Sequence, residues 1–179
     1  DTFAVPIDDY LDHRRWEREV DVLFRASPVV AALSAHLPNP GSYRAIDIAG
    51  VPVLTVRQAD GGVRAFVNAC RHRGALVVAE GCGEARRFTC PYHAWSYNNE
   101  GALVGISGRQ KFGDIDTETH GLTELPCQER SGMVFAVLQP DTTLDLDAWL
   151  GSYEGALDSL GLADMELLDE RHLVAHRGQ

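Results

Sequence analysis

Two short Cys/His pairs constrain this chain more than anything else in it: Cys70-Arg71-His72 and, after residues 73–89, Cys90-Pro91-Tyr92-His93. Two thiols and two imidazoles converging from two loops are a metal-binding donor set by type. Any fold must therefore bring two loops to one place. The rest of the composition fits that demand. At 179 residues the chain suits one domain with an extension, long enough to bury a core without disulfide staples, so its four cysteines have to be explained by chemistry rather than stability. With 16 basic against 26 acidic side chains the net charge is −10, which argues against nucleic acid or an anionic membrane as partner. No apolar run approaches the roughly 18 residues of a membrane span, and no signal segment opens the chain, so a cytoplasmic protein is expected. Asp1 is not a methionine, and the numbering is expected to begin inside a longer product.

Along the chain, Leu11, Trp16, Val20, Leu23 and Phe24 recur at helical spacing and predict an amphipathic helix over residues 9–24. A second short helix is expected from Pro28 to His36, with Ser27 as N-cap and Pro28 at the first helical position. The breaker cluster Leu37-Pro38-Asn39-Pro40-Gly41 ends the helical part. Short β-type runs follow at 43–49, 53–58, 63–68, 85–89, 95–98, 102–105, 123–129 and 133–139, separated by turns such as Ala49-Gly50, Asp60-Gly61-Gly62 and Asn99-Glu100-Gly101. Such a series predicts an all-β sandwich or barrel for the middle of the chain. Residues 145–162 return to helical spacing, and 166–176 read as a strand leaving the domain. The expected fold class is mainly β with flanking helices: a helical lead-in over 1–40, a β domain over 41–140, and a linking helix and strand over 141–179.

Each pair offers one sulfur and one nitrogen, so a two-iron cluster can take both cysteines on one iron and both histidines on the other, the Rieske ligand pattern. Tetrahedral zinc also accepts two cysteines and two histidines, but zinc fingers pair cysteine with cysteine and histidine with histidine at short spacing. Neither arrangement occurs here. Ordinary buried cysteines and stray histidines would require two coincident pairs in loops bounded by Gly and Pro.

The longer motifs Asn68-Ala69-Cys70-Arg71-His72-Arg73-Gly74 and Cys90-Pro91-Tyr92-His93-Ala94-Trp95-Ser96-Tyr97 resemble the cluster-binding loops of Rieske non-haem iron oxygenases, the family of aromatic-ring-hydroxylating dioxygenase large subunits. The resemblance runs from about Val22 to the end of the chain. It implies a [2Fe-2S] cluster with Cys70 and Cys90 as thiolate ligands and His72 and His93 as imidazole ligands. His93 is then the residue from which the electron leaves. It further implies a ferredoxin or reductase as electron donor, a mononuclear Fe(II) only in a catalytic domain outside this chain, delivery to that domain in a neighbouring subunit, and a homo-oligomer, a trimer in the complete protein. Ala94 stands where the family usually has Gly, a change that costs little unless the residue needs a positive φ. Ala75 and Tyr92 occupy the positions of the two extra cysteines of respiratory Rieske proteins, so no clamping disulfide is expected. Trp95 replaces the respiratory type's serine and is expected to wall the cluster. With that hydroxyl donor gone, the potential should fall toward the low end of the Rieske range of about −150 to +300 mV. Tyr97 remains as a donor to a cysteine sulfur.

Cys82 is expected to be an exposed thiol in a flexible loop and Cys127 a buried strand residue. Arg71 and Arg73 either dock an acidic partner or are simply solvated, and Arg86 and Arg87 read as a solvated strand end. Asp169 with His172 and His176 imitates a two-His-one-carboxylate iron site, yet the histidine spacing is short and the alternation is that of a strand. Three readings remain: the electron-transfer part of an oxygenase, a free-standing Rieske ferredoxin, and a zinc-stabilised interaction module.

Overall fold

The computed structural model describes residues 4–170. Its lead-in is helical but not continuous. Helices α1 (Ile7–Leu11) and α2 (His13–Glu19) are divided at Asp12, whose backbone turns extended (φ −72°, ψ 106°) and whose side chain accepts the amide of Arg14. A wider π-type turn over Val20–Arg25 follows. Arg25 ties this arm to the body by donating from Nε and Nη2 to the Ala49 carbonyl at 3.1 and 2.9 Å.

The expected helix at 28–36 is instead a strand, β1 (Val29–Leu33), followed by a single 3-10 turn at Ser34–His36. Its partner lies a hundred residues away in β11 (Met133–Ala136), antiparallel with Val29 opposite Ala136. The run Val-Val-Ala-Ala-Leu satisfies either period, and the waiting edge of β11 decides between them. Between these come β2 (Ser42–Ile48), β3 (Val51–Arg57), β4 (Val63–Val67), β5 (Gly81–Glu84), β6 (Arg87–Thr89), β7 (Trp95–Asn98), β8 (Leu103–Ile106), β9 (Glu124–Leu125) and β10 (Cys127–Arg130). The run at 123–129 is split at Pro126, and the segment before β6 forms the extra strand β5 on the edge of β2. Cys82 is therefore exposed on a paired strand rather than in a flexible loop.

Three sheets result, in strand orders β5-β2-β3-β4-β9, β6-β7-β8 and β1-β11-β10. In the central strand β3, Val53, Leu54, Thr55 and Val56 are all fully buried. That is possible because alternate residues face different neighbours. Leu54 and Val56, with Phe66, pack toward Phe88, Trp95, Tyr97 and Leu103 of the β6-β7-β8 side. Val53 and Ala65 pack toward Ala31, Ala136 and Leu138. The architecture is thus mainly β with short flanking helices, as expected.

The predicted tail helix breaks at Gly151, φ 51°, into α3 (Leu146–Leu150), a 3-10 turn and α4 (Glu154–Asp158). Leu146 and Leu150 close a small core over Met133 and Phe135. Residues 166–170 carry no strand, and the remainder of that predicted strand, with His172 and His176, lies outside the described residues. No helix among the described residues is long and apolar enough to cross a membrane.

Candidate metal centre

The two Cys/His pairs sit in two loops of nearly identical backbone design. In the first, after β4, the Cys70 amide donates to the Ala75 carbonyl at 2.8 Å and the Gly74 amide returns to the Cys70 carbonyl at 2.8 Å. In the second, between β6 and β7, Cys90 donates to the Trp95 carbonyl at 2.8 Å and Ala94 returns to the Cys90 carbonyl at 3.0 Å. Each turn needs a left-handed residue four places after the cysteine: Gly74 at φ 71° and Ala94 at φ 55°. Ala94 does occupy the backbone region that penalises a Cβ, at a cost of about 1–2 kcal/mol. The condition under which this alanine carries a cost, a positive φ, is therefore met.

Asn68 braces the first loop. Its side chain, 1% exposed, donates to the Val78 carbonyl at 2.7 Å and accepts the amides of Val77 and Val78 at 3.2 and 3.1 Å. The second loop is held by its own hairpin, in which Phe88 pairs with Tyr97.

Cys70 and Cys90 are buried free thiols at 3% and 2% exposure. Tyr97, wholly buried, has its hydroxyl 3.3 Å from Cys70 Sγ and accepts the Arg71 amide at 3.0 Å. Either the phenol or the free thiol can supply the hydrogen of this contact, and toward a thiolate only the phenol can donate. Burial and the Cys70 contact raise the phenol's pKa, keeping it a donor. The two imidazoles lie further out, both half-buried, with ring centroids 4.7 Å apart. His72 stacks on Trp95 at 5.1 Å and 13° and meets the edge of Phe112 at 5.2 Å. Burial, then His93 and Arg73, push the His72 imidazole below its ordinary pKa, toward the neutral form that binds a metal. Arg71 and Arg73 are exposed beside it, and Tyr92, 58% exposed, lies against His93.

The donors fit a two-centre group better than a single ion. Among the described residues, no three of these four ligand atoms lie within 4.8 Å of one another. Tetrahedral zinc, with bonds of about 2.0–2.3 Å, would draw all four closer than that. Paired soft and imidazole donors spread over two loops match one iron held by sulfur and one by nitrogen. The only such tight trio among the described residues is His36, Cys82 and Glu170, where the Arg44 guanidinium contacts both His36 and Glu170. A cation of the chain itself already serves that cluster.

The structure thus brings Cys70, His72, Cys90, His93, Trp95 and Tyr97 into one region. Cys127 lies elsewhere, its thiol 3.4 Å from the Val63 carbonyl and raised by burial to a pKa of about 11. Phe112 and His120, on the segment between β8 and β9, complete the surroundings of Trp95 at ring distances of 6.0 Å each. Sequence reading missed both, because nothing local in a polar, Gly-rich stretch marks a residue that folds over a distant loop.

The family model described as Rieske [2Fe-2S] domain matches residues 27–126. The anthranilate 1,2-dioxygenase large subunit of Burkholderia cepacia is 36% identical over 160 residues, which cover 85% of this chain and 38% of that protein. The solved naphthalene 1,2-dioxygenase from Rhodococcus sp. superposes with a TM-score of 0.76 at 30% identity, covering 83% of this chain and 34% of the other. A quaternary ammonium Rieske monooxygenase, whose structure is described as giving insights into inter-subunit electron transfer, superposes at 0.77 with 27% identity, covering 84% of this chain and 41% of its own. The chain spans well under half the length of the curated relatives it matches. The loop architecture, the donor set and the family match agree, and the chain belongs to the Rieske [2Fe-2S] domain family, in the form carried by oxygenase large subunits.

Proposed function

We propose that this chain is the electron-transfer part of a ring-hydroxylating-type oxygenase, taking electrons from a ferredoxin or reductase and passing them toward a mononuclear Fe(II) that activates O2 in a catalytic domain of a neighbouring subunit. The observation that carries the reading is the gradient across the two loops: thiols buried in the core, imidazoles at the rim. In this reading Cys70 and Cys90 hold a [2Fe-2S] cluster from the protein side and His72 and His93 from the solvent side. When bound, the cluster supplies a one-electron couple. Tyr97 donates to the Cys70 sulfur and so favours extra negative charge there. Trp95 and Phe112 shield His72 from water. His93, beside the exposed Tyr92, is the exit toward the acceptor, and the exposed Arg71 and Arg73 offer an acidic donor protein a complementary surface. The proposed division keeps a lead-in at 1–40, which β1 stitches to β11, a cluster domain at 41–140 and a link at 141–179. Assembly as a homo-oligomer, a trimer in the complete protein, belongs to the same proposal and rests on the family resemblance.

The match to the anthranilate enzyme extends over 85% of the chain, beyond the cluster domain, which favours an oxygenase part over a free-standing carrier. Iron and acid-labile sulfide analysis with electron paramagnetic resonance of the reduced protein tests the reading. Two irons and two sulfides per chain, with a paramagnetic signal that appears on one-electron reduction, are expected. A colourless protein holding one zinc and no sulfide ends it.

A further inference from the structure

Trp95 carries an unanswered hydrogen-bond donor. The side chain is 2% exposed, yet its indole Nε1 is buried with no partner. Leaving a buried N–H unpaired costs about 1–3 kcal/mol, and native proteins seldom do so. Ser96 and Tyr97, near it in sequence, and His120, against its ring, have side-chain partners of their own. Ser96 Oγ pairs with Thr89 at 2.9 Å, Tyr97 with Cys70 and Arg71, and His120 Nδ1 with the Asp116 carbonyl at 2.7 Å. The carbonyl of Trp95 itself receives Cys90. Meanwhile the indole lies flat on His72, one of the four residues that fit the cluster. No acceptor among the described residues answers this N–H, and the sulfurs of a cluster held beside His72 would be acceptors.

We propose that the Trp95 indole N–H donates a hydrogen bond to a sulfur of the [2Fe-2S] group, making Trp95 a positioning residue that fixes the His72 ring by stacking and tunes the cluster by donation. On this proposal the indole supplies a donor at the position where the respiratory type has its serine hydroxyl. The inference rests on the cluster reading above. A donor to sulfur favours the reduced, more negative state, so its removal lowers the midpoint potential.

The test compares the full chain with Trp95→Phe and with a protein carrying 3-benzothienylalanine at position 95, which keeps the bicyclic shape and the stack but has no N–H. Iron, sulfide and the resonance signal are measured first and judge the cluster reading alone. Potentiometric titration of the loaded proteins then judges the inference. Both replacements should lower the reduction equilibrium about tenfold, which is about 59 mV for one electron. An isostere that loads fully and keeps the original potential overturns the proposal, even if Trp95→Phe shifts it, because packing alone would then be responsible. Should Trp95→Phe fail to fold, the isostere decides by itself.

Discussion

Replacing Asn68 by alanine should damage the first loop more than any other single polar truncation near the site. The side chain makes three hydrogen bonds, one to the Val78 carbonyl and two from the amides of Val77 and Val78, and Val77 is 4% exposed. A hydrogen bond contributes about 1 kcal/mol net, and a buried backbone group left unpaired costs about 1–3 kcal/mol. Val78 is only half-buried, so water recovers part of the loss there. The expected total is about 3 kcal/mol. For a chain of this length each kcal/mol moves the melting temperature by about 2–4 °C, so a fall of about 6–12 °C is expected. Urea unfolding followed by circular dichroism gives the free energy directly, and the slope m should not change. Asn68→Asp adds a sign to the test. A carboxylate there keeps the amides of Val77 and Val78, which favour the charge, but it is almost fully buried and faces the Val78 carbonyl without a proton to donate. Burial and that repulsion are expected to prevail and to raise the folded pKa above the unfolded value. Its stability relative to Asn68 should therefore improve as pH falls from 7 toward 5. A loss below about 1 kcal/mol for Asn68→Ala at constant m would refute the claim that this side chain holds the loop.

Two further outcomes follow from named contacts. Ala94→Gly should stabilise the protein by about 1 kcal/mol in thermal unfolding, since Gly adopts φ 55° without a Cβ penalty; a destabilised variant would show that the alanine methyl packs usefully. Arg57 holds Glu129 by two bonds of 2.6 and 2.8 Å and, with Ser34, keeps its carboxyl below the ordinary value. A depressed carboxyl pKa contributes stability that is present above the unfolded value and lost as pH falls through the folded one. The stability gap between the native protein and Glu129→Gln should thus be wider at pH 7 than in acid, and a gap independent of pH would count against the ion pair.

The chemistry of this chain was legible where it is local. Two Cys/His pairs, each in a turn of four to five residues, announce their donors by spacing, and their burial then follows from lying between β4, β6 and β7. Elements whose conformation depends on a remote partner were not legible. Val29–Leu33 carries a convincing helix start at Ser27 and Pro28, and only pairing with Met133–Ala136 makes it a strand. Leu146 through Leu160 keep helical spacing across Gly151, but the sequence does not say that the glycine turns to φ 51°. Ala94 is the same lesson inside the site. Its identity was read correctly, whereas its backbone angle is set by the hydrogen bond back to Cys90.

The two loops belong to different sheets: one leaves β4 of the five-stranded sheet, the other joins β6 to β7 of a three-stranded sheet. Whatever both loops grip is therefore also a suture across the layer of Leu54, Phe66, Phe88 and Tyr97 that separates them. By linkage, a group that binds only the closed arrangement stabilises the seam, and a substitution that opens the seam weakens the grip to the extent that the open form becomes populated. Substitutions deep in this apolar layer, touching neither cysteine nor histidine, should accordingly cost bound iron as well as stability.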